Sequence, residues 1–427
     1  MTLYKILRKL GEGGMGEVYL ANRVEKIGEK VFSDYNTFVL KTVKALRPDK
    51  LEDFIREVKT SIVMRHENIV STYGVTRLPI IELEKAPKDM VEAFEQYVIK
   101  QIKGKDETLE RILSTDETKL TDENSVYCIE MEYIEGYDLK QLHQKHIEKN
   151  RLIPIPITTF IIYKTLKALE FAHRFLVHRD ISPDNILVNT EGAPKLTDFG
   201  IACIKGERET FAGKLAYSSP EQLMNLKAAI EGRKTLPLQP SMDIYSLGIV
   251  FYELLTGVNP LVDDVKEEEA SKAAYPLSMM KIADLTLQKS YTMPEPKEIR
   301  QDIPEELSGI IANMLEPEES YRKNAEELRN ELFDYMTKTY AVQPTEETIE
   351  AYIQIFEKEG DEHFKPTQTQ LKRLQSLKNK EGKIQLKRYA FYKTPDNTLS
   401  YTDKGIQIIK TQHKQTINKI LRKLLKK

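Results

Sequence analysis

The stretch that decides the fold is His178-Arg179-Asp180-Ile181-Ser182-Pro183-Asp184-Asn185. Thirteen residues after its last asparagine, the chain reads Asp198-Phe199-Gly200. Two more motifs lie upstream, a glycine-rich stretch near residue 11 and a lysine at the end of an apolar run near residue 40. Four short motifs in this order and at this spacing form a specific signal rather than a chance match.

The glycine-rich motif is Gly11-Glu12-Gly13-Gly14-Met15-Gly16-Glu17-Val18. Glycines let a backbone approach phosphates closely, with amide N–H groups as donors. Alone, the pattern equally fits a plain glycine-rich hairpin. Predicted strands at residues 3–10 and 18–20 lie on both sides of it, which favours a phosphate flap over the strand-to-helix turn of a dinucleotide-binding domain.

The lysine motif is Phe38-Val39-Leu40-Lys41, a predicted strand. A lysine at such a place is usually an edge charge, but residues 51–65 follow with apolar side chains at helical spacing and carry Glu57. A Lys41–Glu57 ion pair would hold the ammonium against the α- and β-phosphates of a nucleotide. Lys44 is the competing lysine and fits the spacing less well.

Together, GEGGMGEV, VLK, HRDISPDN and DFG resemble the eukaryotic-type serine/threonine protein kinases that also occur in bacteria. The resemblance runs from about Tyr4 to Tyr340. It implies an α+β, two-lobed protein kinase fold, with a β-rich N-lobe over about 1–134 and a helical C-lobe over about 135–340. It also implies ATP-dependent transfer of the γ-phosphoryl group to Ser or Thr hydroxyls of protein substrates, with Mg²⁺ bound.

The resemblance assigns catalytic roles residue by residue. Asp180 matches the aspartate that orients the acceptor hydroxyl or accepts its proton. Asn185 and Asp198 match the magnesium ligands, and their oxygen atoms suit that cation. Lys41 and Glu57 match the ion pair of the active state.

The resemblance also implies a nucleotide site. It places Val18, Val39 and Leu187 around adenine, Met131 at the gatekeeper position with the hinge directly after it, and Asp138 at the ribose. For each apolar residue, packing in the core is the alternative. The full set of implied nucleotide-binding residues is Gly11, Glu12, Gly13, Gly14, Gly16, Val18, Val39, Lys41, Met131, Glu132, Tyr133, Asp138, Leu187 and Asp198.

Downstream sequence agrees with this resemblance. Ser218-Ser219-Pro220-Glu221 is similar to the end of a kinase activation segment. Glu221 is expected to pair with Arg322, for which an exposed helix charge is the alternative. The apolar helix that begins at Asp243 resembles the buried helix that anchors the catalytic stretch.

One residue of the stretch from His178 to Asn185 departs from the family pattern. Many such kinases carry a lysine two residues after the catalytic aspartate, where this chain has Ser182. Lys214 is one candidate for the missing cation. Tyrosine kinases typically have alanine at that position and arginine two residues later, and because this chain has Asp184 instead, Ser/Thr specificity is favoured.

Regulation by phosphorylation is a further expectation. Thr210 lies between the DFG motif and the end of the activation segment, and a phosphate on it could pair with Arg179. An ordinary loop threonine is the alternative. Ser218 and Ser219 are lesser candidates.

Composition places this catalytic part in a globular protein. The 427 residues are 40% hydrophobic and include two cysteines, which favours a cytoplasmic protein without a disulfide framework. The most apolar stretch, residues 247–255, is too short to span a bilayer. Residues 76–125 form an insert rich in Lys and Glu, and apolar residues from Met90 to Ile102 at helical spacing predict helices there.

The C-terminal region lies outside the resemblance. Residues 341–348 are expected to be a linker, and residues 349–427 a small basic module, similar at residues 398–410 to the strand-to-helix step of winged-helix domains. From residue 361 onward it carries 17 Lys or Arg and 5 Asp or Glu. Nucleic acid, an acidic protein partner or plain solvated helices would each explain that charge. The alternative to an enzyme is a pseudokinase or scaffold that uses this module.

Overall fold

Two units divide the chain, each with its own internal contacts. The first comprises residues 1–65 and 70–134, and the second comprises residues 66–69 and 135–427. The structure is a computed structural model that describes residues 2–13, 16–27, 30–42, 61–62, 64–79, 125–149, 151–199, 202–204, 206, 213–261, 283–284, 286–288, 290, 293–359 and 364–375.

A five-stranded antiparallel sheet forms the first unit, in the order β1-β2-β3-β5-β4. The predicted strands around the glycine motif and near residues 40 and 130 are confirmed. The strand predicted at 69–75 begins later, at Thr72, and its last residue pairs with Ser125. The strands are β1 (Thr2–Gly13), β2 (Gly16–Ile27), β3 (Lys30–Thr42), β4 (Thr72–Pro79) and β5 (Ser125–Glu132).

Strands β2 and β3 form a longer ladder than the sequence predicts. The polar residues 22–37 predict a long hairpin connection without strand structure between β2 and β3. Instead, the backbones pair from Val24 opposite Ser33 to Ile27 opposite Lys30. Ladder hydrogen bonds join backbone groups, so a polar ribbon forms without the alternating apolar pattern that identifies a half-buried strand. The expectation of a long connection is wrong for that reason.

A buried carboxylate accompanies the apolar core of the first unit. Glu130 is 5% exposed, and its two carboxylate oxygens accept hydrogen bonds from the Tyr4 hydroxyl at 2.8 Å and the Arg23 guanidinium at 2.6 Å. A buried charge is tolerated when it is paired in this way. Glu130 immediately precedes the predicted gatekeeper, so these bonds help to fix β5 there. The fully buried core residues of the sheet are Ala21, Leu40 and Cys128.

The second unit is mainly helical. Apolar residues at helical spacing predict helices near residues 158–175, 243–255 and 305–315. All three are confirmed, as α2 (Ile155–Ala172), α4 (Ser241–Thr256) and α6 (Glu305–Met314). Helix α2 packs against α4, α7 and β9, and most of its residues are buried. The helices are α1 (Leu139–Glu148), α2 (Ile155–Ala172), α3 (Pro220–Ile230), α4 (Ser241–Thr256), α5 (Pro296–Ile299), α6 (Glu305–Met314), α7 (Ala325–Thr339), α8 (Glu346–Glu357) and α9 (Gln368–Gln375).

Two short sheets of the second unit hold the chemistry-bearing segments. The first has the order β6-β8-β9, and in the second β10 pairs with β7. Residues 178–185 connect β7 to β8, and Asp198 follows β9. Segments that end in paired strands are held more firmly than free loops, which suits a functional site. These strands are β6 (Gly136–Asp138), β7 (Leu176–Val177), β8 (Ile186–Asn189), β9 (Pro194–Leu196) and β10 (Cys203–Ile204).

Helix α8 packs against the rest of the second unit. It begins at Glu346, inside the segment predicted as a linker. Gly192, in the turn between β8 and β9, approaches α8 so closely that a Cβ on it would lie 2.1 Å from the Glu346 carbonyl oxygen. Phe356 of α8 stacks on His146 of α1, with ring centroids 3.9 Å apart. The domain division at residue 349 stays a prediction, and α8 shows that contacts with the second unit continue past it.

Several predictions fall outside the described residues. They include the helical stripe of the insert from Met90 to Ile102, most of the helix predicted at residues 51–65, and the strand and helix predicted at 383–392 and 406–425. The winged-helix similarity at residues 398–410 also lies there. Across the described residues, no helix is both long and apolar enough to cross a membrane.

Candidate active site

A buried carboxylate fixes the backbone ahead of Asp180. Asp243, in the first turn of α4, is fully buried. Its carboxylate accepts the backbone N–H groups of His178 at 2.7 Å and Arg179 at 2.8 Å, and His173 Nε2 lies 3.0 Å away. Burial alone would raise the pKa of Asp243, but the hydrogen bonds and charges of His173 and His178 lower it below the ordinary value. The predicted anchoring role of this helix is confirmed.

Asn185 holds the carboxylate of Asp180. The Asn185 Nδ2 group donates to the Asp180 backbone carbonyl at 2.8 Å and to Asp180 Oδ2 at 2.9 Å. The other carboxylate oxygen, Oδ1, has no hydrogen-bond partner in the described part of the chain. One oxygen is therefore held by the protein, and the other is buried with its acceptor capacity unused in the described part of the chain.

Two residues of this region have left-handed backbones that residues other than glycine rarely adopt. Arg179 has φ 72° and Asp198 has φ 63°. Each such conformation costs roughly 1–3 kcal/mol and is typical of functional sites. Surrounding contacts hold them: His178 Nε2 donates to the Thr197 carbonyl at 3.0 Å, and the Phe199 ring packs on the His178 ring with centroids 4.6 Å apart.

The donor atoms near Asp180 suit a magnesium ion. Because the Asn185 amide nitrogen is used twice on Asp180, its amide oxygen is the atom left for a cation. Thr197, the residue before Asp198, donates its N–H to the Asn185 carbonyl at 2.9 Å, which brings the two predicted ligands into neighbouring segments. The described residues contain no cluster of three or more His, Cys, Asp or Glu for a metal. Two protein oxygens completed by water and phosphate are typical of Mg²⁺ instead.

Helix α3 also contacts the catalytic stretch. Ser219 caps this helix through a reciprocal pair of hydrogen bonds with Gln222. The Gln222 side chain then donates to the Arg179 carbonyl at 2.9 Å. The end of the predicted activation segment is thereby tied to the residue next to Asp180.

The predicted pair of Glu221 and Arg322 is confirmed. The two guanidinium nitrogens lie 2.5 and 3.1 Å from the two carboxylate oxygens, and both side chains are buried. The guanidinium also donates to the carbonyl of Ser241 at the start of α4. The alternative of an exposed helix charge is therefore wrong, since Arg322 links the start of α3 to the start of α4.

In the first unit, strands lie on both sides of the glycine motif, as predicted. Gly13 pairs with Gly16 and Gly11 pairs with Val18, so strand continues on both sides of the turn. Lys41 lies in β3, opposite Val18 of β2 and Ile129 of β5. The dinucleotide-binding alternative, which needs a helix after the turn, is excluded.

The predicted adenine-binding residues of the first unit share neighbouring strands. Val39 of β3 pairs with Met131 of β5, and both side chains are partly buried. Glu132 ends β5 and donates its backbone N–H to the Ser71 carbonyl at 2.8 Å. Its contact with adenine would therefore use the carbonyl. Tyr133 follows in an irregular segment.

The second unit contains Asp138, which is predicted to contact the ribose, and Leu187, which is predicted to contact adenine. Asp138 pairs with Leu187 across β6 and β8. Asp138 is also the N-cap of α1, because its Oδ1 accepts the backbone N–H of Gln141 at 2.7 Å. Partial burial raises the pKa of its carboxyl, although the bond from Gln141 opposes that rise. One of its oxygens has a structural use, so only the other suits a ribose hydroxyl.

The family comparison decides what this arrangement is. The family described as protein kinase domain matches residues 4–333 of the chain. The chain belongs to the protein kinase domain family. Its two structural units agree with the two-lobed α+β fold of these kinases, with an antiparallel sheet in the N-lobe and helices in the C-lobe.

Three relatives that the kinase domain resembles come from bacteria. The chain is 27% identical over 336 residues to the tyrosine-protein kinase MasK of Myxococcus xanthus, covering 74% of this chain and 41% of that protein. It is 35% identical over 200 residues to a probable serine/threonine-protein kinase of Clostridium perfringens, covering 45% and 25%. A putative serine/threonine-protein kinase of Mycoplasma genitalium is 24% identical over 384 residues, covering 83% and 86%. The chain thus spans less than half of the first two relatives.

The kinase domain has an unusual cluster around Ser182, which is fully buried. The Lys214 ammonium lies 2.9 Å from Ser182 Oγ and 2.9 Å from Asp184 Oδ2. Lys140 contacts the other oxygen of the same carboxylate, Asp184 Oδ1, at 2.9 Å. Partial burial would raise the pKa of Asp184, but the hydrogen bonds from Lys214 and Lys140 lower it. A basic substrate residue would compete with two lysines for Asp184.

Some predicted kinase residues lie outside the described part. They are Glu57, Gly14 and Thr210, together with the side chain of Glu12. The ion pair of Lys41 with Glu57 and the phosphorylation of Thr210 therefore stay predictions. The lesser phosphosite candidates Ser218 and Ser219 are both buried, at 2% and 0% exposed.

Sequence reasoning did not identify two residues that support the catalytic stretch of the kinase, one directly and one through Asp243. Gln222 binds the Arg179 carbonyl, and His173 binds Asp243. A Ser followed three residues later by Gln is the pattern of a capping box, so residues 219–222 contained a signal for the helix start. No local pattern indicates that the same Gln side chain reaches a residue 43 positions away.

Proposed function

We propose that this chain is an ATP-dependent protein kinase that transfers the γ-phosphoryl group to Ser or Thr hydroxyls of protein substrates. The observation that supports it most is the state of Asp180. Its Oδ2 is held by Asn185, while its Oδ1 has no partner among the described residues. That is the arrangement a positioned acceptor for a hydroxyl proton requires.

The reaction follows from these groups. The acceptor hydroxyl donates its hydrogen bond to Asp180, and its oxygen attacks the γ-phosphorus of ATP. The bond from that phosphorus to the β,γ-bridging oxygen breaks, ADP leaves with the bonding electron pair, and the hydroxyl proton passes to the carboxylate. Phosphoryl transfer depends mainly on position and charge neutralisation, so a rigidly held Asp180 is a sufficient base.

Asn185 and Asp198 are the residues we assign to Mg²⁺. A bound Mg²⁺ would neutralise charge on the phosphate oxygens. In the N-lobe, Gly11, Gly13 and Gly16 are assigned to the phosphates, and Lys41 to the α- and β-phosphates. The remaining nucleotide contacts are assigned as predicted from the resemblance, to Val18, Val39, Met131, Glu132 and Tyr133 of the first unit and Asp138 and Leu187 of the second.

A protein substrate is favoured over a small molecule. The buried Glu221–Arg322 pair and the bond from Gln222 to Arg179 fix the end of the activation segment next to Asp180. Such an ordered platform suits a polypeptide acceptor. Two of the three relatives compared are named as serine/threonine kinases, and MasK is named as a tyrosine kinase. Asp184 in place of the arginine typical of tyrosine kinases favours Ser/Thr here.

We also propose a mode of regulation, a cellular location and a class of partner for the basic C-terminal region. Phosphorylation of Thr210 by the kinase itself would place a dianion near Arg179, whose backbone is held by Asp243. We expect a cytoplasmic enzyme because the chain has two cysteines. The basic excess beyond residue 361 would attract nucleic acid or an acidic protein, and a gel shift of the full chain at low and high salt tests the former.

Phosphosite mapping tests the proposed activity. The purified chain, treated with a phosphatase, is incubated with MgATP and dephosphorylated casein, and the products are mapped by mass spectrometry. We expect phosphoserine and phosphothreonine on casein and phosphate on Thr210. Phosphotyrosine alone would contradict the Ser/Thr assignment, and full activity of Thr210→Ala without modification elsewhere would contradict the regulatory one.

A further inference from the structure

The catalytic stretch lacks the lysine that many related kinases carry two residues after the aspartate. In this chain that position is Ser182, whose side chain is fully buried and too short to reach a phosphate as a cation would. The developing charge on the transferred phosphoryl group still requires neutralisation. Another positively charged side chain near Asp180 is therefore required.

The structure places one lysine on Ser182. Lys214 is 32 residues further along the chain, yet its Nζ atom lies 2.9 Å from Ser182 Oγ. The preceding residue makes this approach possible. Gly213 has φ +107°, and a Cβ on it would lie 2.5 Å from the Arg179 carbonyl and 3.6 Å from Asp180 Oδ1. Only glycine allows the activation segment to pass so close to the catalytic aspartate.

The surrounding charges leave a positive surplus. Among the described residues, Asp184 is the carboxylate that pairs with Lys214, and it also pairs with Lys140 at 2.9 Å. Two ammonium groups thus share one carboxylate, which gives the cluster a net charge of about +1 by formal count. The Lys214 side chain is 42% exposed, so a substrate or nucleotide can contact its ammonium.

We propose that Lys214 is a catalytic residue that neutralises the transferred phosphoryl group in place of the missing lysine at position 182. Ser182 orients it, since its hydroxyl accepts one N–H of the ammonium and another N–H binds Asp184. We assign the third N–H of the ammonium to a phosphate oxygen. The lysine and its hydroxyl partner thus lie on the activation segment and the catalytic stretch, respectively. This inference rests on the proposed kinase function.

In the proposed step, Asp180 accepts the hydroxyl proton and Lys214 supplies the positive charge. Asp180 accepts the hydroxyl proton as the acceptor oxygen bonds to the γ-phosphorus and the bond to the ADP oxygen breaks. Lys214 stays protonated throughout and donates a hydrogen bond to a non-bridging oxygen of the group in transfer. A lysine that only pinned the activation segment to Asp184 would not act on that oxygen.

The test compares Lys214→Ala with wild type and with Lys140→Ala, which removes an equal charge from the same carboxylate. ATP and dephosphorylated casein are the substrates. We expect Lys214→Ala to lower kcat by about 10²-fold, the usual effect of losing one transition-state donor. KM for ATP and the melting temperature by circular dichroism should stay near wild type. Lys140→Ala should keep kcat within about threefold, a small effect because an exposed pair contributes little.

A reciprocal exchange separates charge delivery from structural support. Lys214→Ser should be as slow as Lys214→Ala, and adding Ser182→Lys should recover at least about tenfold in kcat, because a lysine then stands two residues after Asp180. If the exchanged variant is as slow as Lys214→Ser, or if Lys214→Ala keeps its kcat, the proposal is overturned. A wild-type protein that transfers no phosphate at all would instead overturn the kinase function on which the proposal rests.

Discussion

Arg322 and Glu221 form a bidentate ion pair inside the C-lobe, with nitrogen–oxygen distances of 2.5 and 3.1 Å. The Arg322 side chain is 0% exposed and the Glu221 side chain 8%. The guanidinium is further satisfied by the carbonyls of Ser241, Glu316 and Pro317. Such a fully bonded arginine connects segments that lie 101 residues apart in the sequence.

Loss of this arginine should destabilise the C-lobe severely. Arg322→Ala leaves Glu221 buried without its partner, which costs about 3–5 kcal/mol in comparable cases. Urea unfolding followed by circular dichroism measures the change. Lys338→Ala is the control, because its pair with Glu306 is largely exposed and contributes about 1 kcal/mol or less. Equal effects of the two substitutions would contradict the structural role of the buried pair.

Asp243→Asn should slow catalysis without removing any group that touches a substrate. Asp243 accepts the backbone N–H groups of His178 and Arg179 on different carboxylate oxygens, and asparagine replaces one of those oxygens with an amide nitrogen that donates instead of accepting. The resulting displacement of Asp180 should lower kcat by about 10–10²-fold. KM for ATP, obtained from the same rate curves, should change much less. An unchanged kcat would show that Asp180 is positioned without this anchor.

His146 makes the stability of the C-lobe depend on pH. Its Nδ1 donates to the Leu142 carbonyl, its Nε2 accepts from the Tyr352 hydroxyl, and burial lowers its pKa to about 3. The unfolded chain binds a proton on this residue below pH 6.5, but the folded chain does not. The stabilisation is therefore complete above pH 6.5 and is lost progressively as the pH falls toward 3.

At pH 5 the loss due to His146 is about 2 kcal/mol relative to pH 7. His143, whose pKa burial lowers to about 4, adds to the same trend. Unfolding free energies at the two pH values, compared between wild type and His146→Gln, isolate the share of His146. The variant should be less stable at pH 7 but should lose less on acidification. An identical drop in both proteins would contradict the assignment.

Helix α8 should contribute to the stability of the kinase domain. Phe356 is 6% exposed, stacks on His146 and lies under the Lys149 ammonium, 4.1 Å from its ring centre. Phe356→Ala should cost about 3–5 kcal/mol of unfolding free energy. Val342→Ala, at a 60% exposed position, should change it by about 0.5 kcal/mol or less.

A truncation tests the same helix independently. A chain that ends at Tyr340, the predicted end of the kinase domain, lacks α8 and exposes His146. A chain that ends at Gln375 keeps α8 and α9. The shorter chain should melt at a lower temperature, and equal melting temperatures would show that α8 is dispensable for the fold.

Local motifs predicted which residues lie together around Asp180, because residue types at fixed short spacings decide that arrangement. The stretch from His178 to Asn185 needs an aspartate and an asparagine five residues apart, and the structure joins them by hydrogen bonds. The flap was equally predictable, since the strands on both sides of the glycines have their own apolar pattern.

Contacts over long sequence distances were harder to predict. The position of Lys214 on Ser182 depends on a glycine turn that passes close to Asp180, and no spacing rule describes such a contact. Helix α8 has a clear amphipathic pattern, but the pattern does not say which surface it covers. The polar β2–β3 ladder was missed because backbone pairing alone forms it.

The most direct measurement is the transfer of radiolabelled γ-phosphate from MgATP to casein and to the chain itself, by wild type and by Asp180→Asn. We expect wild type to incorporate labelled phosphate clearly and Asp180→Asn to incorporate it at least about 10²-fold more slowly, the usual contribution of a positioned base. Affinity for MgATP, measured separately by calorimetry, should be similar in both proteins. Equal incorporation by the two proteins, or none by wild type, would contradict the account.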